Sequence, residues 1–310
     1  MDYKNAASEN TLYIFTTKNY ETDIYSANIR EWGVNITHGS KSDYWLNKQD
    51  PILAYKNVLL AVFMAPTHVA QKYSVMWECE GDIVEQVSQL KCRCTSLTTL
   101  RQIPMPIITL EQRVKFAILC ALQLCNEIWF VDWANNWLNG KDRTAMTAIN
   151  AANIASGMLR IADNNFETAN AVISKANIWR SVLGEGYNEA DRQYTKDTNT
   201  YRSTTNKFSA AKAAAITAFN TAGIVDLFPA KISNSFIKAR DAAHANESGN
   251  LAFFAIDKAF KQITKAVNAI NLANEANAAS AAVEARNAAI YVESENPAAD
   301  LIAIAHAAIE

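Results

Sequence analysis

Hydrophobic positions change their period part-way along the chain. In "YSVMWECEG" (73–81), Tyr73, Val75, Trp77 and Cys79 alternate with Ser74, Met76, Glu78 and Glu80, the two-residue rhythm of a strand with two unlike faces. "LYIFTT" (12–17) and "NVLLAVFMA" (57–65) are apolar runs of strand length. "DIVEQVS" and "LKCRCTSLTTL" continue as antiparallel strands, with Gly81-Asp82 turning the chain before them. Pro66 opens a short helix in "PTHVAQKY" (66–73). Pro104 and Pro106 end the strand region, because neither can donate to a ladder.

From Thr109 the period becomes helical. Thr109 and Gln112 have capping-box spacing before the apolar positions Val114, Ala117, Ile118, Ala121, Leu122 and Cys125. A second helix over 127–138 carries Ile128, Trp129, Val131, Trp133, Trp137 and Leu138 and stops at Gly140. Asp142 caps a third helix that runs through Met158–Ile161, and further helices are predicted over 166–183, 209–222 and 230–246. A long helix follows Asn250, either continuous or broken in its middle, and a terminal one follows Pro297. The fold class expected is α+β: a small antiparallel α+β domain at 1–107, then an alanine-rich all-α domain at 108–310. Within the latter, 108–142 forms tryptophan-rich core helices and 143–310 a helical array.

Composition sharpens that division. Six of the seven tryptophans precede residue 142, and after it about a quarter of the residues are alanine. Alanine has the highest helix propensity and lets helices approach closely, as the spacing of Ala255, Ala259, Ala266, Ala269 and Ala273 implies. A formal net charge of -2 offers no global attraction to duplex nucleic acid or to an anionic membrane. The stretch 114–133 is the most membrane-like, but Lys115, Gln123, Asn126, Glu127 and Asp132 interrupt it, so no spanning helix is expected. The first residues lack the basic and apolar regions of a secretory signal. With the odd number of five cysteines, this points to buried free thiols in the cytosol, or in a virion, rather than to export.

Two strings carry what motif content there is. "TLEQRVKFAILCALQLC…WANNWLNGKDRTAMTAINAANIAS" (109–156) resembles a segment of poorly characterised phage and bacterial proteins. There a "QR-x-x-FAILCAL" helix and an "NWL-x-GKDR" junction introduce an alanine-rich helical region, and some members carry the label of immunity proteins. "YSVMWECEGDIV…KCRCTSLTTLRQI" (73–103) is similar to a small β domain of unknown function found beside it. The resemblance spans about 55–160 and implies an interaction protein; beyond 160 the chain departs from the regular alanine runs of such proteins.

At the junction, Gly140 suits a helix C-terminus and Lys141 sits near the negative end of that helix's dipole. Asp142 suits an N-cap, and Arg143 can pair with Glu127, Asp132 or a carboxylate of a neighbouring helix. Structural punctuation is the main reading of these four residues, and an anion site at Lys141 and Arg143 the other. The stretch 186–212 interleaves Tyr187, Tyr194, Tyr201 and Phe208 with Arg192, Lys196, Arg202 and Lys207. Its aromatics recur every seven residues and would form one helical stripe. Such a stripe suits packing or self-association, a protein partner, or a nucleotide.

Other chemistry is thin. His38, His68, His244 and His306 are far apart, without a Cys or His partner at metal-ligand spacing, so no metal and no cofactor is expected. Cys92 and Cys94 share a strand face that Cys79 can join, as buried small hydrophobes or as a redox cluster. Glu78, Glu80 and Asp82 form a carboxylate group, read chiefly as a solvated strand face. No nucleophile-elbow, phosphate-loop or dinucleotide motif is present, and no catalytic residue is assigned. Three classes of function stay open: a non-catalytic binder of the immunity or counter-defence kind, a virion structural component, and a nucleotide-binding protein or enzyme. The last would use the 187–212 stretch, or Tyr, His and Glu of the N-terminal domain in an ADP-ribosyltransferase-like arrangement.

Overall fold

The computed structural model describes residues 11–17, 31–39, 41–43, 48–50, 52–64, 74–86, 91–183, 188–222 and 250–310. For 17, 41–43, 48–50, 74, 170, 172–183, 188–191 and 250–272 the description is of the backbone alone. The expected helices at 66–73 and 230–246, together with Tyr187, lie outside these residues.

The strands are β1 (Leu12–Thr17), β2 (Thr37–Gly39), β3 (Lys41–Asp43), β4 (Lys48–Asp50), β5 (Ile52–Tyr55), β6 (Ser74–Gln86) and β7 (Lys91–Ile103). β7 pairs along one edge with β5 and β2 and along the other with β6. β6 pairs in turn with β1, which meets β5 at Tyr13↔Tyr55, so the sheet closes into a small antiparallel barrel. β3 and β4 pair only with each other among the described residues.

The two faces follow the alternation in the sequence. Leu12, Ile14, Ile52, Ala54, Trp77, Cys79, Cys92, Cys94 and Leu97 fill the barrel, while Tyr13 and Met76 face a second core shared with the helices. Trp77 Nε1 donates to Thr16 Oγ1 at 3.0 Å, satisfying a buried indole inside the barrel.

Two expectations change here. The run at 57–65 is not a strand but helix α1 (Val58–Met64), whose seven residues are all buried. Asn57 caps it, its Oδ1 accepting from the backbone N–H of Leu59 and Leu60 at 2.9 and 3.1 Å. A segment buried on every side shows no amphipathic period, so helix and strand look alike in the sequence. Gly81-Asp82 is not a turn either, since β6 runs through both with register shifts nearby. A Cβ on Gly81 would lie 2.5 Å from the Ser96 carbonyl oxygen, so glycine there permits close backbone approach.

The helices that follow are α2 (Leu110–Ala121), α3 (Ile128–Leu138), α4 (Ala145–Leu183), α5 (Asn188–Ala222), α6 (Asn250–Glu295) and α7 (Leu301–Ile309). The capping box of α2 forms as its spacing predicts, with Thr109 and Gln112 bonding reciprocally. α4 continues past 161 as one 39-residue helix, and α6 is unbroken over 46 residues. α4 packs on α5, α5 on α6, and α2 lies against α5, α6 and α7.

Alanines make these contacts: Ala148, Ala151, Ala152 and Ala155 on α4, Ala210 to Ala218 on α5, and Ala281 to Ala289 on α6 supply most of the buried positions. Of the alanines singled out from the sequence, Ala273 is exposed, and the other four lie where only backbone is described. Larger side chains fill the remaining volume, as where Phe63 of α1 stacks on Phe116 of α2 at 4.2 Å. α1 thus joins the sheet's outer face to the helical core.

One core residue breaks the apolar pattern. Arg113 is 1% exposed, and neither Nη1 nor Nη2 has a hydrogen-bond partner. Burial alone pushes its guanidinium down to about 10.

Candidate functional site: the cavity beside the Gly140 junction

The string 136–145 closes α3 and opens α4, and its hydrogen bonds say how. Gly140 takes φ +70°, the Gly140 N–H donates to the Trp137 carbonyl, and the Lys141 N–H reaches back to the Asn136 carbonyl at 2.9 Å. This is a Schellman motif with glycine at the left-handed position. Thr144 is the N-cap of α4, its carbonyl accepting from the Ala148 N–H. Asp142 stands two residues earlier than a direct cap, and its Oδ1 accepts from the Thr144 N–H, the Thr144 hydroxyl and the Thr147 hydroxyl. The bonds from Thr144 hold the Asp142 carboxyl below the usual carboxylate range.

Arg143 turns the other way. Its Nη1 pairs with Glu111 of α2 at 2.7 Å, its Nε donates to the Trp137 carbonyl, and its guanidinium lies 4.5 Å over the Trp137 ring. Glu127, the other carboxylate considered for it, pairs with Lys207 at 2.7 Å.

The junction aligns two helical rows across a gap. Trp129, Trp133 and Asn136 recur at i, i+4 and i+7 on α3, and Thr147, Asn150, Ala151 and Ile154 at i, i+3, i+4 and i+7 on α4. With Asp142 between them they line a cavity of about 260 Å³. Its walls are largely indole and aliphatic, with one carboxylate and two carboxamides as polar groups. Asp142 Oδ2 and the side chains of Asn136 and Asn150 have no protein hydrogen-bond partner among the described residues. The indole N–H groups of Trp129 and Trp133 are also buried without a partner.

No protein-family model, curated protein or solved structure matches this chain. The geometry of the molecule is therefore what bears on its site.

The aromatic stripe divides between surface and interior. Tyr194 is exposed, as are Arg192, Lys196 and Arg202. Tyr201 stacks on Phe166 of α4 at 4.2 Å and donates to Asp163, so its ring face and hydroxyl are both engaged between α4 and α5. Phe208 is buried, and Lys207 lies over its ring while pairing with Glu127.

Elsewhere, Glu78 pairs with Arg101 at 2.8 Å, and Asp82 accepts from the Ser96 hydroxyl. Cys92 and Cys94 lie 3.9 Å apart, sulfur to sulfur, inside the barrel. No group of three metal-ligating side chains occurs among the described residues. No helix among them is long and apolar enough to cross a membrane.

In the sequence Asp142 stands out only as a helix cap, and Trp129, Trp133, Asn136, Thr147, Asn150 and Ile154 carry no site motif. The signal was there as two helical rows flanking a tight connection, but the tryptophans read as core.

Proposed function

We propose that this chain is a binding protein of the immunity or counter-defence kind, recognising its partner through the cavity between α3 and α4. The observation that supports this is the cavity itself: an indole-walled recess in which Asp142 Oδ2 and the carboxamides of Asn136 and Asn150 have no protein partner among the described residues. Its two helices also expose large apolar side chains, Ile128 at 78%, Met146 at 67%, Ile154 at 43% and Ile161 at 52%. Exposed apolar residues on the two helices that wall a largely apolar recess are the usual makings of a protein contact.

The test is retention. The purified chain, immobilised, is exposed to lysates of phage-infected and uninfected bacteria, in parallel with an Ile154→Arg variant of equal helicity. A partner held by the first and lost by the second is the expected result. Equal retention by both proteins, or no specific retention by either, overturns the reading. A closed high-order assembly of the chain alone in light scattering would replace it with a structural role.

A further inference from the structure

We infer that the cavity between α3 and α4 is a site for an organic cation, an ammonium or guanidinium head on a short apolar stem. The inference rests on the binding reading above and specifies the chemistry of that same recess.

Charge is the first argument. Among the residues lining the cavity, Asp142 is the one ionisable group, and none is basic. Of the two basic residues that adjoin Asp142 in sequence, Arg143 is directed to Glu111 and Trp137, and Lys141 is exposed and not part of the lining. The positive end of α4 does not oppose a cation unscreened, because Asp142 Oδ1 already accepts from the Thr144 N–H, leaving Oδ2 for a ligand.

Surface is the second. Two indoles beside a carboxylate form the setting in which a cation gains both from the ring quadrupole and from the ion pair. The protein uses this chemistry one turn away, where Arg143 stacks on Trp137 and pairs with Glu111. Trp129 and Trp133 line the same recess as Asp142, and no basic residue is among its lining.

Size is the third. At about 260 Å³ the cavity falls just below the range of pockets for drug-sized ligands, which begins at about 300 Å³. A lysine or arginine side chain, or a small quaternary ammonium, suits that volume better than a nucleotide. Asn136 and Asn150 supply carbonyl oxygens to accept the remaining N–H groups.

Calorimetric titration of the full chain tests this, with tetramethylammonium as the free cation, N-acetyl-arginine amide as the side-chain source, and methyl glucoside as a neutral ligand. Saturable binding of at least one cation is expected, about tenfold weaker in Asp142→Asn and in Trp129→Ala. Asparagine keeps an Oδ1 that can accept from the Thr144 N–H and the Thr144 and Thr147 hydroxyls, so Asp142→Asn removes charge while keeping the junction, and circular dichroism with thermal unfolding verifies both folds. Tighter binding of the blocked arginine assigns the site to a partner's side chain; tighter tetramethylammonium assigns it to a free amine. Glucoside binding as well as the cations, or cation affinity unchanged in both variants, overturns the inference. So does a partner retained through the cavity while no cation binds, an outcome that leaves the binding reading standing. Cation binding without any retained partner does the reverse.

Discussion

Arg113 offers the sharpest test of the energetics, because a buried guanidinium without a partner costs stability. Burial alone lowers its value to about 10, which corresponds to about 3 kcal/mol against the charged form. Arg113→Met retains most of the aliphatic stem and removes the charge. Replacement of buried charges by well-packed apolar residues is neutral to stabilising, by up to about 4 kcal/mol. The expected gain is about 1–3 kcal/mol, somewhat below the burial cost because the core must close around a shorter tip.

Sign and pH follow from linkage. The folded state releases this proton more readily than the unfolded one, so stability rises with pH only above about 10, up to the unfolded value. The advantage of Arg113→Met is therefore constant from pH 6 to 9, about one fixed penalty, and shrinks above about 10. Denaturant unfolding at pH 7 measures it, with Arg113→Ala as the contrast, where the lost packing opposes the relief of charge. Destabilisation of Arg113→Met by more than about 1 kcal/mol would refute the reasoning, since the guanidinium would then be making interactions worth more than its burial costs.

Three further outcomes are expected. Gly140→Ala should cost about 1 kcal/mol, from its φ of +70° alone, because its Cβ would meet nothing within 4 Å; Gly81→Ala should cost more, about 1–3 kcal/mol, because its Cβ would meet backbone, and denaturant unfolding ranks the pair. Asp142 has a depressed value when folded, so its stabilising contribution is present above its unfolded value of 3.8 and lost as pH falls through the folded one; Asp142→Ala should therefore be less stable than wild type at pH 7 and approach it in acid-range thermal unfolding. All five cysteines are free and buried, so a thiol reagent such as Ellman's should react slowly with the native protein and with five equivalents after denaturation; fast native labelling would contradict their burial.

The sequence by itself determined what rests on neighbours along the chain. The capping box at Thr109 and Gln112, the alternation that sends Trp77 and Cys79 inward and Met76 outward, and the left-handed Gly140 are local, and each was legible from residue type and spacing. The α+β class followed from two such periods meeting in one chain. Tertiary structure alone decided the rest. Val58–Met64 is a helix because it is enclosed on all sides, which removes the period that would have revealed it. Gly81 is required by a strand sixteen residues further on, the one that carries Leu97, and not by its own backbone. Tyr201 belongs to an interhelical stack because Phe166 lies opposite, and Arg113 is buried because three helices converge on α2. The cavity follows the same rule: each of its two rows is local, but a site exists only where the Schellman turn sets them face to face, since a recess is a property of the space between elements.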